Sequence, residues 1–470
     1  MKKLLILMAV AGLLPLSKAS AQEVASSPTV LTLDQAIQIA LSENIAVRVA
    51  DKDIERAEYA RKGTYASLFP QLDGSSSYSR TIKKQVMYMD FDMGSFGGGG
   101  ADEAGAETKA GSAGGKSSSG GGIEVGRWNT YSAGVQASMP LVNAQLWKSL
   151  EISGQDVELA VEKARSSRLE TVTQVKQAFY GVLLAKEAFN VYKEVYENAL
   201  DNFTQTEKKY NVDKASELEY QRAKSTVQNA IPNVYDAENA VVLGLWQLKA
   251  VMGIDLDEDI DVAGSIMDYS TAMFRDIREN DDVSLERNTT MRQLALQAEE
   301  LANTVKMQRY ASLPSLALSF SYSINAMAND FKFSTYNWSP YSAAGLSLSI
   351  PIFDGGRRSN AVRQTVNQRD QLLLQTENTE RQIKVMIRQY LNQMETAMKN
   401  FNAAESGVET ARKAYEIAAK SYNLGRSTIT ELNDAQLALT QALLAQSQAV
   451  YNFVIAKANL EQTLGKDIEA

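Results

Sequence analysis

Pro314-Ser315-Leu316-Ala317-Leu318-Ser319-Phe320-Ser321-Tyr322-Ser323-Ile324 sets a large apolar side chain at every even position after the proline and a small residue, mostly serine, between them. Alternation with a period of two marks a β-strand whose faces meet different surroundings. The chain returns through Gly345-Leu346-Ser347-Leu348-Ser349-Ile350 with the same division, and a second proline, Pro351, closes it. Large apolar residues on one face and small polar ones on the other suit a strand between lipid and a watered lumen. A strand half-buried on a protein core would show the same alternation if taken alone. Helical patterning flanks the pair on both sides, so the pair reads as a membrane β-hairpin set into a helical chain.

Working outward, the stretch before this hairpin repeats an earlier one. Tyr65-Ala66-Ser67-Leu68 with Pro70 comes back as Tyr310-Ala311-Ser312-Leu313 with Pro314, 245 residues later. Tyr131-Ser132-Ala133, closed by Pro140, comes back as Tyr341-Ser342-Ala343, closed by Pro351. Tyr210-Asn211, Ala223 and Gly253 return as Tyr422-Asn423, Ala435 and Gly465 at a common offset of 212. A duplication of this length decides the architecture before any short motif does. The fall from 245 to 212 places an insert in the first copy between Pro70 and Tyr131. There Gly94 to Gly122, rich in Gly, Ser and Ala and including Gly97-Gly98-Gly99-Gly100, reads as a mobile loop that would extend outside the cell. Its counterpart near Ala328 to Asn337 is much shorter. The first copy shows the alternation more weakly, with Met87, Met89, Phe91 and Met93 on the way out and Tyr131, Ala133, Val135, Ala137 and Met139 on the way back. Trp128, Tyr131, Tyr336, Trp338 and Tyr341 sit near strand ends, as interfacial aromatic belts do.

The remaining pattern is helical. Leu31-Thr32-Leu33-Asp34 opens a helix, with Thr32 or Asp34 as N-cap and Ala36, Ile37, Ala40 and Leu41 on one face, and helical pattern continues to about Leu68 before Pro70. Ile383, Ile387, Tyr390, Met394, Ala397, Phe401, Ala404, Val408, Ala411, Tyr415, Ala418 and Tyr422 recur at spacings of 4 and 3. The same heptads appear 212 residues earlier, from Val175 to Tyr210. Past a turn near Gly425, Leu432, Ala435, Leu439, Ala442, Ala449, Phe453, Ala456 and Leu460 keep the spacing, with Gln446 as the polar exception. Sustained 3.5-residue repeats mean coiled-coil packing, and alternation of large residues with Ala lets helices approach closely. A continuous helix from Arg357 to about Tyr422 would be roughly 100 Å long at about 1.5 Å per residue.

The chain begins Met1-Lys2-Lys3, continues with an apolar run from Leu4 to Leu16, and reaches Ala19-Ser20-Ala21, which describes a secretory signal cleaved before Gln22. Loss of Lys2, Lys3 and Lys18 takes the net charge from −8 to −11, a surface that repels nucleic acid. Cysteine and histidine are absent, which removes disulfides, thiolate nucleophiles, imidazole bases and the commonest transition-metal ligand. No later apolar run reaches the roughly 18 to 20 residues a transmembrane helix needs, so an exported chain of this kind is either soluble outside the inner membrane or built as a β-barrel. The segments are a signal peptide (1–21), first-repeat N-terminal helices (22–69), a first β-hairpin (70–140) carrying the loop 94–122, and a first long helical hairpin (141–255). A linker with second-repeat N-terminal helices (256–313), a second β-hairpin (314–351) and a second long helical hairpin (352–470) follow.

Four strands in one chain cannot close a barrel, and open edges in lipid would leave N–H and C=O groups without partners. Three chains would give twelve strands, an even count usual for bacterial barrels, with the helical hairpins packed into a coaxial α-barrel.

Four local matches point to a family. They are Leu31-Thr32-Leu33-Asp34-Gln35-Ala36 through Asn44; the proline closings Leu68-Phe69-Pro70 and Leu313-Pro314; Pro351-Ile352-Phe353-Asp354-Gly355-Gly356-Arg357-Arg358; and Tyr422-Asn423-Leu424-Gly425 followed by Thr430-Glu431-Leu432-Asn433-Asp434-Ala435. In this order, and duplicated, they resemble the TolC-like outer membrane efflux protein family over essentially the whole mature chain. The resemblance implies a mainly α fold with a membrane β part, in which duplicated helical hairpins and four strands per chain complete a trimeric twelve-stranded barrel. It implies a passive exit duct of a tripartite efflux or type I secretion system, a homotrimer in outer membrane lipid that works with a periplasmic adaptor and an inner membrane transporter, without enzymatic activity or cofactor. By the same resemblance the periplasmic gate is formed by Glu431, Asp434, Glu219 and Tyr422, and the adaptor-docking tips by Val212, Asp213, Leu424 and Gly425. Two positions depart from the family: Asp213 stands where a glycine is usual, which the left-handed tolerance of Asp allows, and Ser427, beside Arg426, stands where some members have arginine.

On physical grounds, three copies each of Glu431 and Asp434 near an axis would favour cations and resist anions. The same carboxylates would also serve as ordinary helix N-terminal acids behind a Ser427 or Thr430 cap. Gly115-Lys116-Ser117 lacks the first glycine and the strand-to-helix setting of a phosphate loop. Met87, Met89 and Met93 fit a lipid-facing strand better than a thioether metal site. A structural or adhesive coiled-coil envelope protein would explain the heptads but not the strands, and a carboxylate-based hydrolase lacks a clustered acid pair.

Overall fold

The computed structural model describes residues 29–87, 123–271, 273 and 284–466. The expected signal peptide, the alternating Met89, Phe91 and Met93 and the glycine-rich loop 94–122 lie outside the described residues.

The elements in chain order are β1 (Thr29–Leu31), α1 (Leu33–Glu43), α2 (Ile45–Ala66), β2 (Gln71–Arg80), β3 (Gln85–Met87), β4 (Ile123–Val125) and β5 (Asn129–Val142). There follow α3 (Ala144–Tyr210), α4 (Glu217–Met252), β6 (Ile260–Val262), a 3₁₀ turn (Ile266–Tyr269), α5 (Thr289–Tyr310), β7 (Ser315–Ala328), β8 (Ser339–Ser349), α6 (Arg357–Asn423) and α7 (Ile429–Leu464). The predicted helices are there with their turns, and α3 and α6 are each 67 residues long. No described helix is long and apolar enough to cross a membrane. The chain divides into two compact units, one of residues 1–49, 165–288 and 382–470, the other of residues 50–164 and 289–381.

The first unit holds most of the core. Its heptad positions are buried as the spacing requires: Val175 and Val182 on α3, Ile383, Ile387, Met394, Ala397 and Phe401 on α6, and Leu439, Ala449, Phe453, Ala456 and Leu460 on α7. Each large aliphatic or aromatic side chain so buried contributes about 1.5–3 kcal/mol. β1 pairs with β6 in a parallel ribbon. Thr32 is the N-cap of α1 in a capping box with Gln35, so Asp34 is not the cap. The duplication survives in three dimensions. Asn44 donates its side-chain amide to Val251 O at 2.7 Å, and Asn288 donates to Thr463 O, 212 residues on from Val251, at 2.6 Å. Beside each contact a helix ends on a left-handed glycine, Gly253 (φ 79°) and Gly465 (φ 65°). A Cβ would stand 2.8 Å from Glu43 O at Gly253 and 2.0 Å from Arg287 O at Gly465, so both positions require glycine.

The second unit carries a four-stranded antiparallel sheet in the order β2-β5-β7-β8. Its register puts Leu72, Val135, Leu318, Phe320, Tyr322, Leu346 and Leu348 on one face, and all are exposed. The opposite face is a run of hydroxyls and small side chains, among them Ser75, Ser77, Ser79, Ser132, Ser138, Ser319, Ser321, Ser323, Ser347 and Ser349. Asp73 is the only carboxylate on the polar face of these strands, which carries no lysine or arginine. Ser77 and Ser132 meet across it at 2.7 Å. β2 and β8 are the sheet's edges.

One strand assignment needs correction. The outgoing partner of β5 is not the alternating stretch that begins at Met87 but Gln71–Arg80, directly after Pro70. Gln85–Met87 forms a strand, yet pairs with Ile123–Val125 in a separate two-stranded ribbon. β2 has only Leu72 and Tyr78 as large apolar residues, so its alternation is too weak to read alone; β5 and β7 impose its register.

At the end of the second hairpin, the Pro351–Arg358 match proves to be a helix cap. Asp354 accepts the backbone N–H groups of Gly356 (3.2 Å) and Arg358 (3.0 Å), and Arg358 Nε donates to it at 2.7 Å. That guanidinium and these N–H groups hold the Asp354 carboxyl below its usual range. Gly355 (φ 66°) and Gly356 (φ 85°) take the left-handed conformations of the turn that leads from β8 into α6.

Candidate functional site

The residues expected at a gate and at docking tips all lie on the two helical hairpin turns of the first unit. The turns are built alike. After α3, Asp213 N–H donates to Tyr210 O (3.0 Å) and Lys214 N–H to Lys209 O (2.8 Å). After α6, Gly425 N–H donates to Tyr422 O (3.0 Å) and Arg426 N–H to Ser421 O (2.8 Å). These paired bonds satisfy the last carbonyls of each helix, and both need one left-handed residue. It is Gly425 (φ 71°) in one turn and Asp213 (φ 56°) in the other, the only described non-glycine with positive φ.

The following helices also start alike. Ser216 caps α4 and Thr428 caps α7, each in a capping box with the glutamate three residues on. Ser216 N–H donates to Glu219 Oε2 at 2.9 Å, and Thr428 N–H donates to Glu431 Oε2 at 3.2 Å. The cap of α7 is thus Thr428, not Ser427 or Thr430, because only the residue three before Glu431 can exchange both bonds with it. Glu219 and Glu431 therefore have a structural task at the helix starts, and Asp434 stands exposed one turn along α7. Val212 (60% exposed) and Leu424 (69%) hold matching places at the turn apices as largely exposed apolar side chains.

Tyr422 is buried at 5% exposure where the two hairpins meet. Ala223, Ile429 and Leu432 are buried with it, and Phe203, Tyr415, Ala418 and Ala419 pack around them. The Tyr422 hydroxyl lies 2.7 Å from Thr206 Oγ1, and Thr206 donates to Asn202 O at 2.8 Å. A threonine has one hydroxyl hydrogen, so Tyr422 is the donor in their bond. Burial, with the Glu219 carboxylate adding to it, pushes the Tyr422 phenol up and keeps that hydrogen in place. The Lys209 ammonium covers the Tyr422 ring at 4.9 Å and reaches the carbonyls of Tyr422 (3.4 Å) and Asn423 (3.5 Å). Arg222 Nη1 to Thr430 Oγ1 (3.3 Å) and Asn433 Nδ2 to Thr226 Oγ1 (3.0 Å) tie α4 to α7.

The structure thus brings Tyr422 together with Thr206, Lys209 and Glu219, and leaves Glu431 and Asp434 on the exposed start of α7. Sequence reasoning missed Thr206, Lys209, Arg222, Thr226 and Asn433. Thr206 had a signal: it is a polar residue on the apolar stripe between Phe203 and Tyr210, 212 residues before Ala418, and it is fully buried. Ser427 donates to Ala418 O at 3.4 Å. Among the described residues no group of three or more His, Cys, Asp or Glu side chains could hold a metal ion.

A family model described as outer membrane efflux protein matches residues 36–254 and 282–466. Outer membrane protein TolC of Escherichia coli strain K12 is 21% identical over 346 residues, 72% of this chain and 70% of its own length. The alkaline protease secretion protein AprF of Pseudomonas aeruginosa is 23% identical over 341 residues, 71% of this chain and 69% of its own. Among solved structures, the Campylobacter jejuni CmeC outer membrane channel has a TM-score of 0.67 at 18% identity, covering 99% of this chain and 94% of that one. The open state of the Neisseria gonorrhoeae MtrE outer membrane channel has a TM-score of 0.65 at 18% identity, covering 92% of this chain and 88% of that one.

Proposed function

The chain belongs to the outer membrane efflux protein family and is an outer membrane exit duct, and on that premise we propose that it works as a homotrimer with a gate at its helical turns. The observation that carries the trimer is the sheet itself. One face is apolar and exposed, the other hydroxyl-lined, and among the described residues β2 and β8 have no strand beyond them. In lipid, edge N–H and C=O groups cost several kcal/mol each unless paired. β8 of one copy against β2 of the next satisfies both edges, and three copies give a twelve-stranded barrel whose serine face lines the lumen.

The gate reading rests on Tyr422. Its bond to Thr206 and its cover by Lys209 fasten the second hairpin to the first. The Arg222–Thr430 and Asn433–Thr226 contacts fasten α7 to α4. Parting the hairpins breaks these together, so they bias the turns toward the closed state. Glu431 and Asp434, with Glu219, surround the mouth with carboxylates that favour cations. Transport through the duct is passive, and no residue of the site is asked to do chemistry. Val212 and Leu424, beside the left-handed Asp213 and Gly425, would seat the hairpins of a periplasmic adaptor that joins the duct to an inner membrane transporter. A drug efflux pump and a type I secretion system would both use such a duct.

The test is single-channel recording in a planar bilayer. Wild-type protein should show a small, cation-preferring conductance. Glu431→Ala/Asp434→Ala should lose the preference, and Tyr422→Phe/Lys209→Gln should raise the conductance. Insertion without conductance in any form would sink the gated duct and leave a coiled-coil envelope protein.

A further inference from the structure

The hairpin ends of the membrane sheet carry a feature the duct does not use. Within the turns at residues 80–87, 123–129 and 329–338 lie five cations, Arg80, Lys83, Lys84, Arg127 and Lys332, in a chain of net charge −8. None of the five forms an ion pair among the described residues. Instead the Arg80 guanidinium stands 5.9 Å from the Phe331 ring centre, and the Lys84 ammonium 4.8 Å from that of Trp128. Stacking on a ring face leaves a cation's hydrogen-bond donors pointing outward.

The register settles which face Arg80 and the neighbouring tyrosines occupy. Arg80 pairs with Asn129, Tyr78 with Tyr131, and Tyr131 with Ala326, all on the apolar face that carries Val135, Phe320 and Leu346. The aromatics continue as a cluster: Tyr131 lies 5.0 Å from Tyr78, 5.2 Å from Phe333 and 5.6 Å from Tyr336. Phe331, Phe333 and Trp338 stay exposed. A collar of exposed aromatics at the end of a lipid-facing band lies at headgroup depth. The collar is held firmly. Buried Asn129 accepts from Tyr78 (2.9 Å) and donates to Asp330 O (3.2 Å), Tyr336 donates to the same carbonyl, and Trp128 N–H donates to Asn329 Oδ1 (3.1 Å). Asp330 is the nearest described acid in sequence to Lys332, and its carboxylate accepts the Lys332 backbone N–H at 3.4 Å.

We propose that this rim binds the phosphate groups of anionic glycolipid headgroups in the outer leaflet. The inference rests on the barrel reading, which places the apolar face in lipid and the hairpin ends, opposite the helices, at the outer surface. Five cations without an ion pair among the described residues, beside an aromatic collar, complement a surface of phosphomonoesters, and arginine and lysine donors make charge-assisted bonds to phosphate oxygens. Three copies of the chain would repeat the rim around the barrel and order a ring of lipid there.

The experiment is native mass spectrometry of the detergent-solubilised full chain with diphosphoryl lipid A, monophosphoryl lipid A and phosphatidylcholine in turn. Wild type should retain diphosphoryl lipid A best and phosphatidylcholine least. Arg80→Gln/Lys84→Gln/Arg127→Gln should retain diphosphoryl lipid A at least about tenfold less, since each cation at an anionic surface is worth roughly fivefold in binding. Lys84→Arg should behave as wild type, which separates lost charge from misfolding. Lys399→Gln/Lys413→Gln, an equal kind of charge loss on α6, should also behave as wild type. Equal retention of the three lipids, or an unchanged triple variant, would overturn the rim site. Displacement of lipid A by inorganic phosphate alone would overturn it too, in favour of a free-anion site. Bilayer conductance of the same preparations keeps the two readings apart: a conducting wild type without lipid preference fails the rim only, whereas a wild type that inserts without conducting fails the duct.

Discussion

The two hairpin turns share their backbone bonds, their capping boxes and their apolar apices, and differ in what they bury. The second turn sinks Tyr422 and Leu432 into a common cluster with Ala223 and Ile429. In the first, the equivalent Tyr210 and Tyr220 stack on one another at 4.9 Å, with Tyr210 exposed. The second also has glycine at its left-handed residue where the first has Asp213. Duplication therefore kept the turn geometry, which backbone bonds dictate, and let the side chains diverge until Tyr422 of one hairpin is buried against Thr206 and Lys209 of the other.

The comparison can be broken in several ways, the strongest through the cluster. Leu432→Ala, at a side chain 1% exposed, should cost about 2–5 kcal/mol, read as loss of hydrogen-exchange protection in both turns. If only the second turn opened, the hairpins would be independent. Thr206→Val leaves the buried Tyr422 hydroxyl without its acceptor and should cost about 1–3 kcal/mol. Tyr422→Phe in the same background should recover part of that loss, and a double-mutant cycle on thermal unfolding measures the coupling. Gly425→Ala forces a Cβ into φ 71° and should cost about 1–2 kcal/mol, whereas Asp213→Gly should be neutral or gain a few tenths. Equal effects at the two positions would show that the turns are not equivalent in strain. Smallest of the losses, Ser216→Ala and Thr428→Ala should each cost about 1 kcal/mol of local stability, matched because the boxes match.

Much of this was legible beforehand. The serine alternation of β7 and β8 gave both strands, and the heptads gave α3, α6 and α7 with their buried faces. A left-handed Asp213 was expected from the resemblance, which has a glycine at that turn. The cap of α7 was readable too, since Thr428 and Glu431 stand three apart as a capping box requires. β2 was not readable, because a ten-residue strand with two large apolar side chains has no period of its own. The contacts of Lys209, Arg222 and Asn433 were equally hidden, since partners about 210 residues apart leave no local mark.

What the sequence determined by itself is what depends on period and repetition: helix against strand, which face is apolar, where the turns fall, and that one plan occurs twice. Those properties are local, because each is set by side chains within a few turns or pleats of one another. The tertiary structure alone decided that β2 pairs with β5, that Thr206 takes the Tyr422 hydrogen, and that five cations at the hairpin ends have no acidic partner among the described residues. Each of these depends on which distant backbones come within about 3 Å, a distance fixed by the packing of long helices and by strand register rather than by any neighbour in the chain.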